Sequence, residues 1–367
     1  MTLHLKTRFV PSLLRRQRGW LPALALTVGA LAGMSIAAAA ANTELPARLS
    51  DTGLYAPGSI QQTRAGVHSF SPQYPLWSDG AEKRRWIALP AGKAIDASRP
   101  DAWVFPPGTR LWKEFAHDGK AVETRYIERR ADDSWRFATY VWAEDGRDAL
   151  LAPERGTVLP VAAAPGGRYG VPGRGDCIAC HGGATVPVLG FGALQLSPDR
   201  DPLAAHARPP QAGDVDLRSL VLRGALRGLP AAMLTQPPRI AAATPVERAA
   251  LGYLHANCSH CHHSAGNQVP VRLTLAQSAA DPLRSRAEAL ASAVAAPSRY
   301  QPGGGDGAAR VVVPGDAAAS VLAARMQSRQ PRAQMPPLGT QVPDPEGLAL
   351  IHRWINHDLT TKKESPP

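Results

Sequence analysis

The chain has 367 residues, of which 44% are hydrophobic, so it is long enough for two or three domains and apolar enough to bury ordinary cores. This composition excludes an intrinsically disordered protein. Residues 1–41 hold five of the 41 basic side chains and none of the 30 acidic ones, and without them the formal charge of +11 falls to +6. Such a mild excess, with no basic cluster interleaved with aromatic residues, argues against nucleic-acid binding.

The N-terminus has the pattern of a secretory signal. Residues 1–20 are basic with no acidic side chain, and residues 21–40 form an uncharged run, rich in Leu and Ala, that ends in consecutive alanines. This pattern predicts export to the periplasm, with cleavage near residues 39–41. A retained membrane anchor is the alternative, because roughly 20 apolar residues can cross a bilayer. The small residues at the end of the run and the polar residues 42–44 favour cleavage.

Residues 71–152 predict a small antiparallel β domain. They follow a segment rich in Pro, Ser and Gly, residues 42–70, which we interpret as a linker. Six of the eight tryptophans lie between Trp77 and Trp142, and turn sequences such as Pro-Pro-Gly separate short runs with strand composition. We attribute most of these tryptophans to core packing rather than to a ligand surface. The strand-like runs are residues 84–89, 110–115, 122–127 and 135–142.

The rest of the chain predicts helices and loops after a second linker, residues 153–176. The clearest helix begins after Thr244, because Thr244 and Glu247 have the spacing of a capping box and Pro245 occupies the first helical position. Residues 265–310 show few signals of regular structure. The other predicted helices span residues 216–227 or begin after Asp316 and Asp344.

The four cysteines form two Cys-x-x-Cys pairs, and each pair is followed at once by a histidine. Cys-x-x-Cys-His is the attachment pattern of haem c, in which two thiols bind the vinyl groups and the imidazole binds the iron. The sequence therefore predicts two covalently bound haem c groups. The attaching and ligating residues would be Cys177, Cys180 and His181 in the first motif and Cys258, Cys261 and His262 in the second.

Two alternatives use the same cysteines. Exported proteins often pair four cysteines as two disulfides, and two Cys-x-x-Cys pairs can also build a tetrahedral zinc site. Neither alternative accounts for the two histidines, and the 77 residues between the pairs exceed the spacing of a zinc ribbon. We therefore favour haem.

The C-terminal part resembles the class I cytochrome c fold over residues 245–360. Gly252 and Tyr253 match the position where that family's first helix crosses its last one, and Trp354 would be the aromatic partner. Met335 precedes the predicted terminal helix, where the family places its second iron ligand. The resemblance thus implies axial ligation by His262 and Met335, with a packing role for Met335 as the alternative.

The second ligand of the first haem is harder to predict, because no capped helix precedes Cys177. Met233 is our first choice, and His206 or a residue from another domain are the alternatives. An open position at this iron would permit peroxide chemistry, as in di-haem peroxidases. We expect solvated or structural roles for the remaining histidines of this half, His255, His260, His263, His352 and His357.

Residues 74–356 as a whole resemble a family of bacterial di-haem cytochromes that join an N-terminal β domain to haem domains. The resemblance rests on residues 74–80, 107–115, 189–197 and 251–258. It implies an α+β multidomain fold, in which a Trp-rich antiparallel β domain precedes mainly α-helical cytochrome c domains. The expected parts are a signal (1–41), linker (42–70), β domain (71–152), linker (153–176), first haem c region (177–243), class I-like domain (244–360) and tail (361–367).

The same resemblance implies electron transfer in the periplasm. The expected partners are periplasmic or membrane redox proteins, without nucleic acid, and with membrane contact only if the signal is retained. The alternative is an oxidoreductase, either a di-haem peroxidase or a haem-linked dehydrogenase, with its substrate at the first haem or on the β domain. We assign no catalytic side chain.

Overall fold

The computed structural model describes residues 44–264, 269, 271–302 and 308–360. The predicted signal and the tail after residue 360 lie outside this part. The described strands are β1 (Val67–Ser69), β2 (Glu82–Ala88), β3 (Ile95–Asp96), β4 (Arg110–His117), β5 (Lys120–Arg129), β6 (Trp135–Trp142), β7 (Ala149–Leu151), β8 (Thr157–Pro160), β9 (Arg168–Val171) and β10 (Leu226–Arg227).

Six of these strands form the largest element, an antiparallel sheet in the order β1-β2-β4-β5-β6-β7. Four of them coincide with the strand-like runs of the sequence, which confirms those runs. β8 pairs with β9 as a separate hairpin inside the predicted second linker. β3 and β10 pair in parallel, so the β region and the first motif's region share backbone hydrogen bonds.

The two faces of the sheet bury different partners because side chains alternate along each strand. Trp86, Trp112 and Tyr126 are neighbours across β2, β4 and β5 and pack into one core with Leu49 and Leu54. The predicted first linker thus supplies core residues. The opposite face points towards the remainder of the chain, which packs over it in the main core.

The prediction that mainly α-helical domains follow the β domain is wrong. The described residues contain seven α-helices, and only two of them have more than nine residues. They are α1 (Arg174–His181), α2 (Leu217–Leu222), α3 (Ala232–Thr235), α4 (Pro245–Cys258), α5 (Pro282–Ala293), α6 (Val321–Gln327) and α7 (Pro345–Arg353).

Proline and glycine explain the low helix content. Residues 182–216, between α1 and α2, include five prolines and five glycines. Each proline removes a backbone hydrogen bond from a helix, and each glycine raises the entropic cost of forming one, so a helix is unstable at this density. Irregular backbone in this segment is held instead by the β region: Gln73 N–H donates to the Gln195 carbonyl at 3.0 Å, and Val215 N–H donates to the Ser69 carbonyl at 2.8 Å.

The helix predicted for residues 216–227 is shorter in the structure. α2 ends at Leu222, because Gly224 has a φ of 66° that reverses the chain, and Leu226 then pairs with Ile95 as β10. In the main core, Leu217 and Leu220 of α2 are both almost fully buried.

Three helices begin in the same way, with a side-chain cap followed by proline. Thr244 Oγ1 accepts from Glu247 N–H at 3.0 Å, Asp281 Oδ1 accepts from Arg284 N–H at 3.2 Å, and Asp344 Oδ1 accepts from Gly347 N–H at 2.9 Å. The α4 prediction is confirmed. α5 is a helix that we did not predict, although its Asp-Pro start repeats the start of α7.

α4 crosses the molecule at two close approaches. A Cβ on Gly252 would overlap the Tyr74 ring, and a Cβ on Gly347 would overlap the Tyr253 ring. Tyr253, rather than Gly252, therefore meets the last helix, and its hydroxyl donates to Asp344 Oδ2 at 2.9 Å. Trp354 is fully buried beside this crossing in the same core. None of the helices in the described ranges is both long and apolar enough for a membrane span.

Candidate functional site

The first motif lies on α1, one residue after the turn that follows the β8-β9 hairpin. The carboxylate of Asp176 accepts from Gly173 N–H at 2.9 Å and caps the start of the helix. Cys177 and Cys180 are three residues apart and share one face of the helix. Both thiols are free of disulfides and partly buried.

The imidazole of His181 is oriented by the backbone. Its Nδ1 lies 2.6 Å from the carbonyl oxygen of Pro187, and a carbonyl only accepts, so Nδ1 carries the proton and donates. Nε2 is then left with its lone pair, which is the state of an iron-ligating imidazole held by an outer hydrogen bond. Burial lowers the pKa of His181 to about 4, so the ring is neutral at pH 7.

The second motif continues from the last residue of α4 into a tight turn. His262 N–H donates to the Cys258 carbonyl at 2.9 Å, and the His262 carbonyl accepts from Leu275 N–H at 2.8 Å. Burial raises the pKa of the Cys258 thiol to about 12. The buried Nδ1 of His262 has no hydrogen-bond partner within the described residues.

Met335 and His262 are both close to Arg325. Met335 N–H donates to the Arg325 carbonyl at 2.9 Å. Burial lowers the pKa of His262, and the positive charge of Arg325 lowers it further. Through Arg325 the structure places the predicted methionine and the second motif's histidine in one neighbourhood, although the ligation itself stays a prediction.

A cavity of about 910 Å³ is bordered by both motifs. This is near the upper end of the range for small-molecule and cofactor sites, about 300–1,000 Å³. Its walls come from the sheet, α1, the segment after α1, the end of α4 and the segment after Met335. The motif residues that border it include Cys177, Cys180 and His181 from the first and Ser259, His260 and His263 from around the second.

The thiols of the two motifs also approach each other. Burial raises the pKa of Cys180 to about 11, and the neighbouring thiol of Cys261 raises it as well. Groups attached at the two motifs would therefore be neighbours, although 77 residues separate the pairs in sequence.

The sheet contributes a row of three cations to the cavity wall. Arg85 on β2 pairs with Lys113 on β4, and Lys113 pairs with Arg125 on β5, so the three stand side by side across adjacent strands. All three border the cavity. We call Arg85, Lys113 and Arg125 the cation row. The sequence analysis did not predict the cation row. The available signal was that each of the three cations is next in sequence to an aromatic residue, whose side chain lies on the opposite face of the sheet.

Two predicted ligand candidates lie elsewhere. Met233, on α3, packs against the main core and is absent from the described lining of the cavity. His206 contacts α7: its Nε2 lies 2.8 Å from Asp344 Oδ1 and its Nδ1 lies 3.1 Å from Glu346 Oε2. Its ring also lies 4.8 Å from that of Trp77, centroid to centroid. His206 is thus occupied as a structural residue.

Three histidines for which we expected solvated or structural roles border the cavity instead: His255, His260 and His263. His255 Nδ1 accepts from Gln277 N–H at 3.1 Å, and burial lowers its pKa to about 4. Burial also lowers the pKa of His260 to about 4. His260 lies within the second motif, His255 three residues before it and His263 directly after it.

The side chains fit haem c at the first motif. Two free thiols on one helix face, an imidazole with an oriented Nε2, a largely apolar cavity and adjacent cations are what a covalently bound, dianionic porphyrin needs. At the second motif the free thiols fit the same group, whereas the buried Nδ1 of His262 lacks, within the described residues, the outer hydrogen bond that orients His181. Across the described ranges, no three His, Cys, Asp or Glu side chains form a group that could hold a metal ion.

Comparisons with protein-family models, curated proteins and solved structures found no match to this chain. The resemblance to di-haem cytochromes therefore stays a prediction from the quoted residues.

Proposed function

We propose that this protein is a periplasmic di-haem cytochrome that transfers electrons through two covalently bound haem c groups. The observation that carries the proposal is the cavity bordered by Cys177, Cys180 and His181 of the first motif, at which the Pro187 carbonyl holds the His181 ring with its Nε2 free. Ser259 and His260 bring the second motif to the same cavity, whereas Cys258, Cys261 and His262 are not in its described lining. Two disulfides, or a zinc site made of the four cysteines alone, would leave this orientation of the His181 ring unused.

Haem c supplies one-electron transfer at its iron. The side chains bind and orient it. Cys177 and Cys180 would hold it by two thioether bonds, each made by adding a thiol S–H across a vinyl group, so that attachment would need no oxidant. His181 offers a neutral ring because burial lowers its pKa to about 4. Cys258, Cys261 and His262 would do the same at the second motif.

The closeness of the two motifs supports transfer inside the molecule. The Cys180 thiol is near that of Cys261, so an electron accepted at one haem would have a short path to the other. Once the haems are attached, electron transfer between them requires no side chain to make or break a bond. The mild positive charge of the mature chain suits acidic redox partners in the periplasm or at the membrane.

The first experiment measures attachment. The mature protein, produced in a host with cytochrome c maturation, should retain two haems after acid–acetone extraction, with a mass that fits two additions. Replacing Cys177 and Cys180 by Ala should remove one haem, and replacing Cys258 and Cys261 should remove the other. Four unmodified thiols, with or without zinc, would refute the proposal.

A second experiment separates the carrier from the enzyme. The reduced protein should pass two electrons to a small cytochrome acceptor and show no sustained turnover of hydrogen peroxide. Carbon monoxide binding by the unmodified reduced protein, together with peroxide turnover, would support the alternative of a di-haem peroxidase with its open position at the first haem.

A further inference from the structure

The cation row breaks a general rule of sheet pairing. Like charges directly opposite each other on neighbouring strands are destabilising, yet Arg85, Lys113 and Arg125 are successive partners on β2, β4 and β5. They also point away from bulk solvent, into the wall of the cavity. An arrangement of this kind is stable when an anion neutralises it.

The protein itself supplies little of that negative charge. Arg125 Nη2 pairs with Glu123 Oε1 at 2.6 Å, and the same oxygen accepts from the Tyr169 hydroxyl at 2.9 Å. Neither Arg85 nor Lys113 forms an ion pair with a carboxylate in the described part of the chain. The Phe115 ring lies 4.8 Å from Lys113 Nζ. Burial, and then the positive charge of Arg85, lowers the pKa of Lys113 well below its ordinary value, so an anion beside this side chain would be needed to keep it protonated.

The carboxylates around the cavity are engaged elsewhere. Asp79 accepts from Gln341 N–H at 2.8 Å, Asp101 accepts from Ala279 N–H at 2.6 Å, and Asp176 caps α1. Glu288 pairs with Arg284 at 2.8 Å. These acids therefore hold backbone and surface groups in place, and the positive charge of the row faces the cavity.

We propose that the cation row holds the propionate groups of the haem attached to Cys177 and Cys180. This inference rests on the proposed function. Two carboxylates on one edge of a porphyrin match a linear row of three cations, and guanidinium groups bind carboxylates in paired hydrogen bonds. The row borders the same cavity as Cys177, Cys180 and His181, and the charge of Arg125 reaches the Cys177 thiol, so a porphyrin attached to α1 would lie within reach of the row.

The orientation has a consequence for electron transfer. Nearby positive charge favours the reduced haem, because the oxidised form carries one more positive charge. The row therefore raises the potential of the first haem relative to the same haem without it. The second haem, attached at the end of α4, would feel a smaller effect of the same sign, because the charge of Lys113 also reaches His260 of the second motif.

Lys113→Met tests the proposal, because it removes the charge with little change in volume and Met is compatible with the adjacent Phe115 ring. Spectroelectrochemistry should show a clearly lower midpoint potential for one haem and a much smaller decrease for the other. Resonance Raman spectra should show a shifted propionate bending band. Lys113→Arg keeps the positive charge, so the midpoint potential and the propionate band should both stay at the values of the unmodified protein. Arg85→Met should act in the same direction.

The matched control is Lys120→Met, which removes the same charge from the exposed first residue of β5 and should move neither readout. A second control is Lys113→Met in the chain with Cys177 and Cys180 replaced by Ala, where the larger shift should vanish because the first haem is absent. Circular dichroism confirms that each variant folds.

Equal shifts in Lys113→Met and Lys120→Met, or persistence of the larger shift without the first haem, would overturn the inference. So would a potential that responds to added phosphate only when Lys113 is present, since the row would then bind a free anion. These outcomes leave attachment intact, whereas failure to attach any haem refutes the proposed function itself.

Discussion

His181 shows how a single backbone contact prepares a residue for its role. The bond from Nδ1 to the Pro187 carbonyl selects one tautomer, and burial keeps the ring neutral at pH 7. The motif spacing in the sequence identifies His181 as a candidate, but it carries no information about Pro187, since that contact depends on how the chain turns after α1. His262 has the same motif and lacks such a partner within the described residues.

Met335 carries the first residue-level prediction. Met335→Ala should remove the weak far-red sulfur-to-iron absorption of the oxidised protein, lower the potential of the second haem and let carbon monoxide bind there after reduction, because a thioether ligand both raises the potential and closes the iron. The control is Met233→Ala, whose side chain packs against the main core. If the band and the potential survive Met335→Ala, Met335 is a packing residue.

The buried histidines predict acid sensitivity. The pKa of His255 is lowered from 6.5 to about 4, so the unfolded chain binds a proton that the folded one excludes in this window. The contribution of His255 to the free energy of unfolding should therefore be at its maximum above pH 6.5 and should decrease as the pH drops from 6.5 towards 4. Urea titrations at several pH values measure this.

His255→Gln should flatten part of that pH dependence, because its amide keeps a hydrogen-bond acceptor for Gln277 N–H and does not titrate. An unchanged slope between pH 6.5 and 4 in the variant would show that other groups cause the loss of stability.

At the scale of elements, the helices are predictable where a cap and a proline mark their start, and unpredictable where proline and glycine interrupt them. α4, α5 and α7 share the same local signal, and each begins where that signal stands. The segment between α1 and α2 is irregular, because its prolines remove backbone donors and its carbonyls and N–H groups bond to the β region instead.

α4 provides a prediction in which packing reverses helix propensity. Alanine usually stabilises a helix interior relative to glycine by about 1 kcal/mol. At Gly252, however, a Cβ would overlap the Tyr74 ring, so Gly252→Ala should destabilise the protein by about 1–3 kcal/mol. Chemical unfolding measures both this variant and its control.

The control is Gly175→Ala on α1, where no atom lies within 4 Å of the added Cβ. It should be neutral or stabilising by up to about 1 kcal/mol. Equal effects of the two substitutions would contradict the close approach of α4 to Tyr74.

On the scale of the whole molecule, the predicted regions are joined by buried polar contacts as well as by a continuous core. The Tyr74 hydroxyl donates to Asp201 Oδ2 at 3.0 Å, Arg248 Nη2 donates to the Asp199 carbonyl at 2.7 Å, and Trp77 N–H donates to Asn257 Oδ1 at 2.7 Å. The residues from Leu45 onwards form one unit by their contacts.

This continuity predicts cooperative unfolding. Tryptophan fluorescence, which reports mainly on the sheet, and haem absorption, which reports on the two motifs, should change at the same denaturant concentration. The predicted boundaries at residues 152 and 243 would be supported instead by two separate transitions. In the proposed holoprotein, thioether bonds would keep both haems on the chain throughout, so loss of cofactor would not affect the comparison.

The sequence alone determined the features that depend on neighbouring residues: the two Cys-x-x-Cys-His motifs, the main strands through their alternation, and the capped start of α4. Only the tertiary structure decided which distant residues meet. The cation row depends on the register of three strands, the His181 contact on the turn after α1, and the shared cavity on how α4 packs against the sheet. The spacing of residues in the sequence determines which side chains share one face of a helix or strand. Strand register and packing determine which other residues that face contacts. These depend on the whole chain, because burial of apolar surface and backbone hydrogen bonding involve residues that are distant in sequence.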